Sequence, residues 1–127
     1  MAKIRGIGGV FFKSENAEAL RAWYAKHLGI ESGPEGKMFA WRDKDDPSRE
    51  NITVWSIFPA SSNYFHPSTS PLMMNYIVDD LKAMLAELRA NGVTVADKVE
   101  EHEYGKFGWV FDPDGNKIEL WEPPPAD

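Results

Sequence analysis

Tyr104-Gly105-Lys106-Phe107-Gly108-Trp109-Val110-Phe111, then Asp112-Pro113-Asp114-Gly115-Asn116, then Lys117-Ile118-Glu119-Leu120-Trp121-Glu122-Pro123, is the stretch whose reading decides the fold. Two runs rich in aromatic and branched side chains flank a turn in which Pro113 presets φ and Gly115 supplies the positive φ that closes it, so the stretch reads as a β-hairpin. Glu119 stands out, because its carboxylate sits between Ile118 and Leu120, and on a pleated strand it faces opposite to both. If Ile118 and Leu120 enter a core, Glu119 and Trp121 share the other face. That face is either solvent or the wall of a cup.

Composition limits what the chain can be. With 127 residues, 43% of them hydrophobic and 27% charged, it holds enough apolar material for one domain. The formal net charge of −6 argues against nucleic acid and anionic membrane surfaces, which call for clustered Lys and Arg, and suits a neutral or cationic partner. No cysteine is present, which excludes disulfides and thiolate metal sites. No apolar run reaches the roughly 18 residues of a membrane span, and Met1-Ala2-Lys3-Ile4-Arg5 lacks the pattern of a signal peptide, so a cytoplasmic location is the expectation.

Upstream of the hairpin, residues 3–13 read as a buried strand interrupted by Gly6, Gly8 and Gly9; these mark a bulge, a close approach of a backbone or ligand, or tight packing under a helix. Asn16 offers an N-cap, and Leu20, Trp23, Tyr24 and Leu28 recur at helical spacing before Gly29 ends an amphipathic helix. His27 in its last turn suits the helix dipole. Strands follow over Lys37–Arg42 and Asn51–Phe58, joined by the charged loop Asp43–Glu50. Pro59–Pro71, rich in Ser, Thr and Asn, reads as a linker.

The second half repeats the first. Leu72–Val78 reads as a strand, Asp80 caps a helix carrying Leu81, Met84, Leu85 and Leu88, Asn91-Gly92 ends it, and Val93–Glu100, Gly105–Phe111 and Lys117–Glu122 supply three strands. Asn16 and Asp80 stand 64 residues apart, and Asn51-Ile52-Thr53-Val54-Trp55 lines up with Lys117-Ile118-Glu119-Leu120-Trp121 at a separation of 66. Two ordered landmarks and a matching element order point to an internal duplication. One domain of two βαβββ modules, about 1–59 and 71–127 joined by 60–70, is expected.

Tandem βαβββ modules, a first helix containing Trp23-Tyr24 and ending in Leu28-Gly29, and Asp112-Pro113-Asp114-Gly115-Asn116-Lys117-Ile118-Glu119-Leu120 together resemble the glyoxalase, bleomycin-resistance and extradiol-dioxygenase superfamily, also called vicinal oxygen chelate. The resemblance covers nearly the whole chain. It implies an α+β fold in which each module curls its strands into half of a cup, with helices outside and the site enclosed within a chain or between the chains of a homodimer. It does not fix an activity, because one scaffold hosts unrelated functions.

The superfamily's metal enzymes place ligands at four positions, which fall here on Gly9, Thr53, Met73 and Glu119. Only Glu119 is a ligand of the required kind, since a divalent ion wants about three or more His, Asp, Glu or Cys ligands. No cofactor is therefore expected, although a divalent metal is left open. His27, His66 and His102 occupy no cup-lining strand, and Glu101-His102-Glu103 reads as a solvated segment.

What remains of the site is aromatic with a few polar groups. The candidate ligand-binding residues are Glu119, Thr53, Trp55, Met73, Asn75, Tyr104, Trp109 and Trp121, each of which could instead be core. Three functions follow. One is metal-independent binding of a small, cationic or aromatic molecule in an apolar cup, similar to the drug-sequestering members. Another is a lyase, isomerase or epimerase with Glu119 as catalytic general base or as part of a degenerate metal site. The third is a structural or regulatory dimer with an empty cup.

Overall fold

The computed structural model describes residues 3–125, among which there are eight strands and two helices. β1 (Ile4–Ser14) leads into α1 (Ala17–Leu28), β2 (Lys37–Arg42) and β3 (Glu50–Pro59). β4 (Leu72–Val78) leads into α2 (Leu81–Ala90), β5 (Thr94–Val95), β6 (Glu100–His102), β7 (Gly105–Phe111) and β8 (Lys117–Glu122). The class is α+β, and strand, helix, then further strands recur in both halves. Val93–Glu100 is not one strand: β5 and β6 each pair with β7, separated by an exposed bend at Asp97 and Lys98 whose charged side chains favour water over a ladder. Neither helix is long and apolar enough to cross a membrane.

Two compact units divide the chain inside strands rather than at 60–70: one takes the chain up to Gly8 and again from Met74, the other is Gly9–Met73. The segment 60–70 is not a free connector. Phe65 is fully buried, its ring 5.2 Å from that of Phe58 and 5.0 Å from the Lys13 ammonium. The N–H groups of Ser62, His66 and Ser68 close turns on the carbonyls of Pro59, Asn63 and Phe65. Serine and asparagine give the segment a linker's composition, but a single buried aromatic fixes it in place.

In the Gly9–Met73 unit β3 lies between β2, to which it is antiparallel, and β1, to which it is parallel. Asn16 caps α1 by accepting the Ala19 N–H at 3.1 Å, and Gly29, at φ 69°, returns its N–H to the Tyr24 carbonyl. The apolar stripe of α1 does not bury as a whole. Tyr24 packs edge-on against Trp55 at 4.9 Å and Phe12 at 6.1 Å, while Trp23 and Leu28 flank that contact and stay 49% and 58% exposed.

In the other unit β4 and β8 are parallel, and β7 runs antiparallel to β8, β5 and β6. α2, capped by Asp80 through the Ala83 N–H, lays Leu81, Met84 and Leu85 on Val78, Val110 and Leu120. Each such side chain stabilises the unit by about 1.5–3 kcal/mol through removal from water. Glu122 at the end of β8 accepts the Leu81 N–H at 2.8 Å, placing a negative charge at the positive end of the helix dipole. The hairpin turn forms as its residues dictate: Gly115 has φ 83°, and the Asp112 carboxylate accepts the N–H groups of Asp114 and Asn116 and the Asn116 side-chain amide.

Candidate functional site

Register assigns the faces. Ile118 and Leu120 pack toward α2, so Lys117, Glu119 and Trp121 point away from it. Opposite Glu119 stand Asn75 of β4 and Trp109 of β7, and opposite Trp121 stand Ile77 and Phe107. The face away from α2 therefore gathers residues from three strands around Glu119.

Glu119 is 2% exposed. Its Oε1 accepts the Asn75 side-chain amide at 2.6 Å, and its Oε2 accepts the Trp109 indole N–H at 2.9 Å. Bonds from neutral donors to a buried carboxylate are charge-assisted and roughly twice as strong as those between neutral groups. The bond to Glu119 turns the Asn75 carbonyl oxygen toward β1, where it is buried and accepts no hydrogen bond from the described residues. Gly8 is what makes room for it: a Cβ at residue 8 would collide with that oxygen and come to 2.9 Å from Ile77 Cγ1 and 3.0 Å from Trp121 Cε3. Of the readings open for the first-strand glycines, Gly8 comes nearest to tight packing, but what lies against it is side chains of β4 and β8 rather than a helix, a backbone or a ligand.

Lys117 adds a cation to this face. Its ammonium lies 5.5 Å from the Trp109 ring centre, a cation–π distance. Burial pulls its pKa below the usual lysine value, against the opposing pull of the Glu119 charge. Sequence reasoning passed over Lys117, although the same period-two rule that paired Glu119 with Trp121 places it beside them.

Asn75, Trp109, Trp121 and Glu119 thus share one face. Trp121 stacks parallel on Phe107 at 6.0 Å and donates its indole N–H to the Tyr104 carbonyl at 2.9 Å. Tyr104 itself is 58% exposed; its ring stacks on His102 at 4.9 Å and meets Phe107 edge-on at 5.6 Å, just before the start of β7. Met73 is buried at the end of the Gly9–Met73 unit.

Thr53 and Trp55 occupy the face of β3 that packs on α1. Trp55 meets Tyr24 of that helix, and Thr53, two residues earlier, shares the face and accepts the Trp41 indole N–H at 2.8 Å. The pairing register shows why the sequence alignment placed them otherwise. Asn75, five residues before the cap Asp80, pairs with Glu119; Phe11, five before the cap Asn16, pairs with Ser56. Ser56, a buried serine, therefore holds the register position of Glu119, three residues beyond Thr53. An odd slip along a strand exchanges its two faces.

The donor chemistry does not fit the superfamily's divalent metal. Glu119 accepts one N–H donor on each oxygen, and the register partners around it are an amide and an indole, so no second carboxylate or imidazole stands beside it on β4 or β7. Gly9 has no side chain, Ser56 and Thr53 are hydroxyls and Met73 is a thioether. Among the described residues no group of three or more His, Cys, Asp or Glu side chains converges.

A family model described as a glyoxalase-like domain matches residues 9–121. The chain belongs to that family. Solved structures with the same fold include methylmalonyl-CoA epimerase from Mycobacterium tuberculosis, at 17% identity and a TM-score of 0.65 over 96% of this chain and 90% of that one. A second is a Streptomyces coelicolor methylmalonyl-CoA epimerase variant in complex with 2-nitronate-propionyl-CoA, at 14% identity and a TM-score of 0.69 over 97% of this chain and all of the other. The Mn(II)-bound glyoxalase from Novosphingobium aromaticivorans matches 96% of this chain with 40% of its own length, at 19% identity and a TM-score of 0.64. A search of the curated proteins gives no match. At these identities the likeness is one of fold, and the glyoxalase-like scaffold leaves the chemistry to the side chains.

Proposed function

We propose that this glyoxalase-like protein binds a small organic molecule, without a metal, on the face of β7 and β8 that points away from α2. The observation that carries the reading is Glu119 itself, buried with both oxygens tied to N–H donors. A general base needs a lone pair within reach of the substrate's proton; one accepted bond per oxygen does not use up a carboxylate's lone pairs, but burial to 2% exposure keeps those of Glu119 from a substrate. A carboxylate held in this way is instead a fixed negative charge that orients the Trp109 ring and Asn75, and it favours the cationic form of Lys117 beside them. Lys117 is then the group that meets a ligand, and a partly desolvated ammonium over an indole suits a carbonyl or carboxylate oxygen on a flat or apolar body. This turns the expected ligand from a cation toward an acyl compound. Methylmalonyl-CoA epimerase, which shares the fold, has been seen with methylmalonyl-CoA, so acyl thioesters are the first compounds to try.

Titration of the chelator-treated protein with acyl thioesters and aryl carboxylates, followed by tryptophan emission, tests the reading. Binding should be saturable, and Lys117→Gln should weaken it about tenfold, the loss of one charge-assisted hydrogen bond, while loss of its contact with the Trp109 ring lowers the melting temperature by only a few degrees. No saturable response to any of these compounds, or full affinity in Lys117→Gln, would refute it.

The position of Lys117 over the Trp109 ring, where burial lowers its pKa, favours a second reading, as an isomerase or epimerase in which this side chain takes part in proton transfer next to a carbonyl and Glu119 only positions it. Exchange of the substrate's α-hydrogen with D2O, read by mass spectrometry on methylmalonyl-CoA, would support that reading; binding without exchange leaves the first. Homodimerisation is part of the proposal too, since Trp23, Leu28, Met38 and Phe39 expose apolar surface on the Gly9–Met73 unit. Sedimentation at micromolar concentration giving a 14.4 kDa species alone would remove it.

A further inference from the structure

A second concavity lies on the other side of the β7–β8 sheet. It has a volume of about 270 Å³ and opens between α2 and the β6–β7 hairpin. Leu81, Leu85 and Val99 provide its apolar lining, and the two leucines are seated closely on the sheet because β7 has Gly108 beneath them, where a Cβ would come to 2.9 Å from Leu85 Cδ1. Lys82, Arg89 and Lys106 also line it, against the single carboxylate of Glu101. In a chain with formal charge −6, three cations to one anion around an apolar pocket is a local reversal of sign.

The partners of these cations leave that charge available. Lys106 has its nearest carboxylate, Glu122, at 3.8 Å, and Glu122 already accepts the Leu81 N–H. Arg89 gives one N–H to the Ala96 carbonyl at 3.3 Å, which steadies a guanidinium that carries five donors. Lys82 enters no ion pair among the described residues. An apolar floor bordered by cations recognises an amphipathic anion, and the volume lies just below the range of about 300–1,000 Å³ typical of sites for drug-sized ligands.

We propose that the pocket between α2 and the β6–β7 hairpin binds a free, small amphipathic carboxylate, with its alkyl or aryl body on Leu81, Leu85 and Val99 and its carboxylate between Lys82, Arg89 and Lys106. This site is separate from the Glu119 face, because Lys106 and Lys117 stand on opposite faces of the same pair of strands.

The test uses octanoate on the full chain, with calorimetry for affinity and amide chemical shifts for location. Octanoate should bind, shift the amides of α2 and β6, and bind at least about tenfold more tightly than octanol, which lacks the charge. Affinity should fall as salt is raised from about 0.01 M to about 1 M, since partly exposed charges are screened over that range. Lys82→Glu, a change on an exposed helix position, should weaken octanoate about tenfold or more, and Lys82→Arg should keep it within about twofold. Equal affinity for octanol and octanoate, shifts confined to the Glu119 face, an unaffected Lys82→Glu variant, or no binding at millimolar octanoate would each overturn the proposal.

Discussion

Replacing Glu119 by glutamine tests whether the buried carboxylate is an anchor of the fold. Two N–H donors converge on it, one on each oxygen, from Asn75 at 2.6 Å and Trp109 at 2.9 Å. Glutamine is nearly the same shape but offers one acceptor oxygen and one NH2 group. It can keep one donor satisfied and must set its own N–H against the other. Leaving a buried donor unsatisfied costs about 1–3 kcal/mol, and the surviving bond loses its charge assistance. Relief from the desolvation of a buried charge offsets part of this. The balance is a loss of about 2 kcal/mol, which for a chain of this length lowers the melting temperature by roughly 5–10 °C. Circular dichroism measures the shift, and tryptophan emission follows the change around Trp109. If Glu119→Gln melts within about 2 °C of the parent, the two hydrogen bonds do not anchor the fold, and the assignment of Glu119 as a positioning residue falls with them.

Gly8→Ala should destabilise by about 1–3 kcal/mol through overpacking against Asn75, Ile77 and Trp121, and Asn75→Ala in the same chain should recover part of that loss; strictly additive effects would show that Gly8 and Asn75 are not in contact. Phe65→Ala should cost about 3–5 kcal/mol by chemical denaturation if the 60–70 segment is packed as described, whereas a free linker would lose nothing. Asp112 is held below its usual pKa of 3.8, first by the Asn116 side-chain amide and then by the Asn116 backbone N–H. Its folded pKa is depressed, so its contribution is present above about pH 4 and is lost as the pH falls through the folded value; Asp112→Asn should lower the melting temperature at pH 7 and flatten this part of the acid limb, and an unchanged pH profile would count against the turn bonds.

Much of the architecture was legible because it rests on local rules. The two N-caps, the Gly29 stop and the Asp112–Asn116 turn depend on side chains bonding to their own neighbouring backbone, and all of them form where their residues stand. The period of two on β8 was enough to separate Glu119 from Ile118 and Leu120. It also held the signal for Lys117, which went unread because a charged residue next to a turn looks like a solvated one.

What tertiary structure alone decided was register and packing. Glu119 meets Asn75 across 44 positions of sequence, and Gly8 lies against both Asn75 and Trp121, pairings that no local pattern encodes. Thr53 and Trp55 turned out to face α1 because aligning two modules by sequence leaves the strand register free to slip, and a slip of three residues exchanges the faces of a pleated strand. Phe65 made an anchor of a segment whose composition spells linker, since burial of one side chain depends on a cavity that other parts of the chain build around it. The sequence by itself settled which residues could cap, turn or alternate, because those are short-range steric and hydrogen-bonding choices. Which of them stand together around Glu119 was decided only by the long-range pairing of β4, β7 and β8.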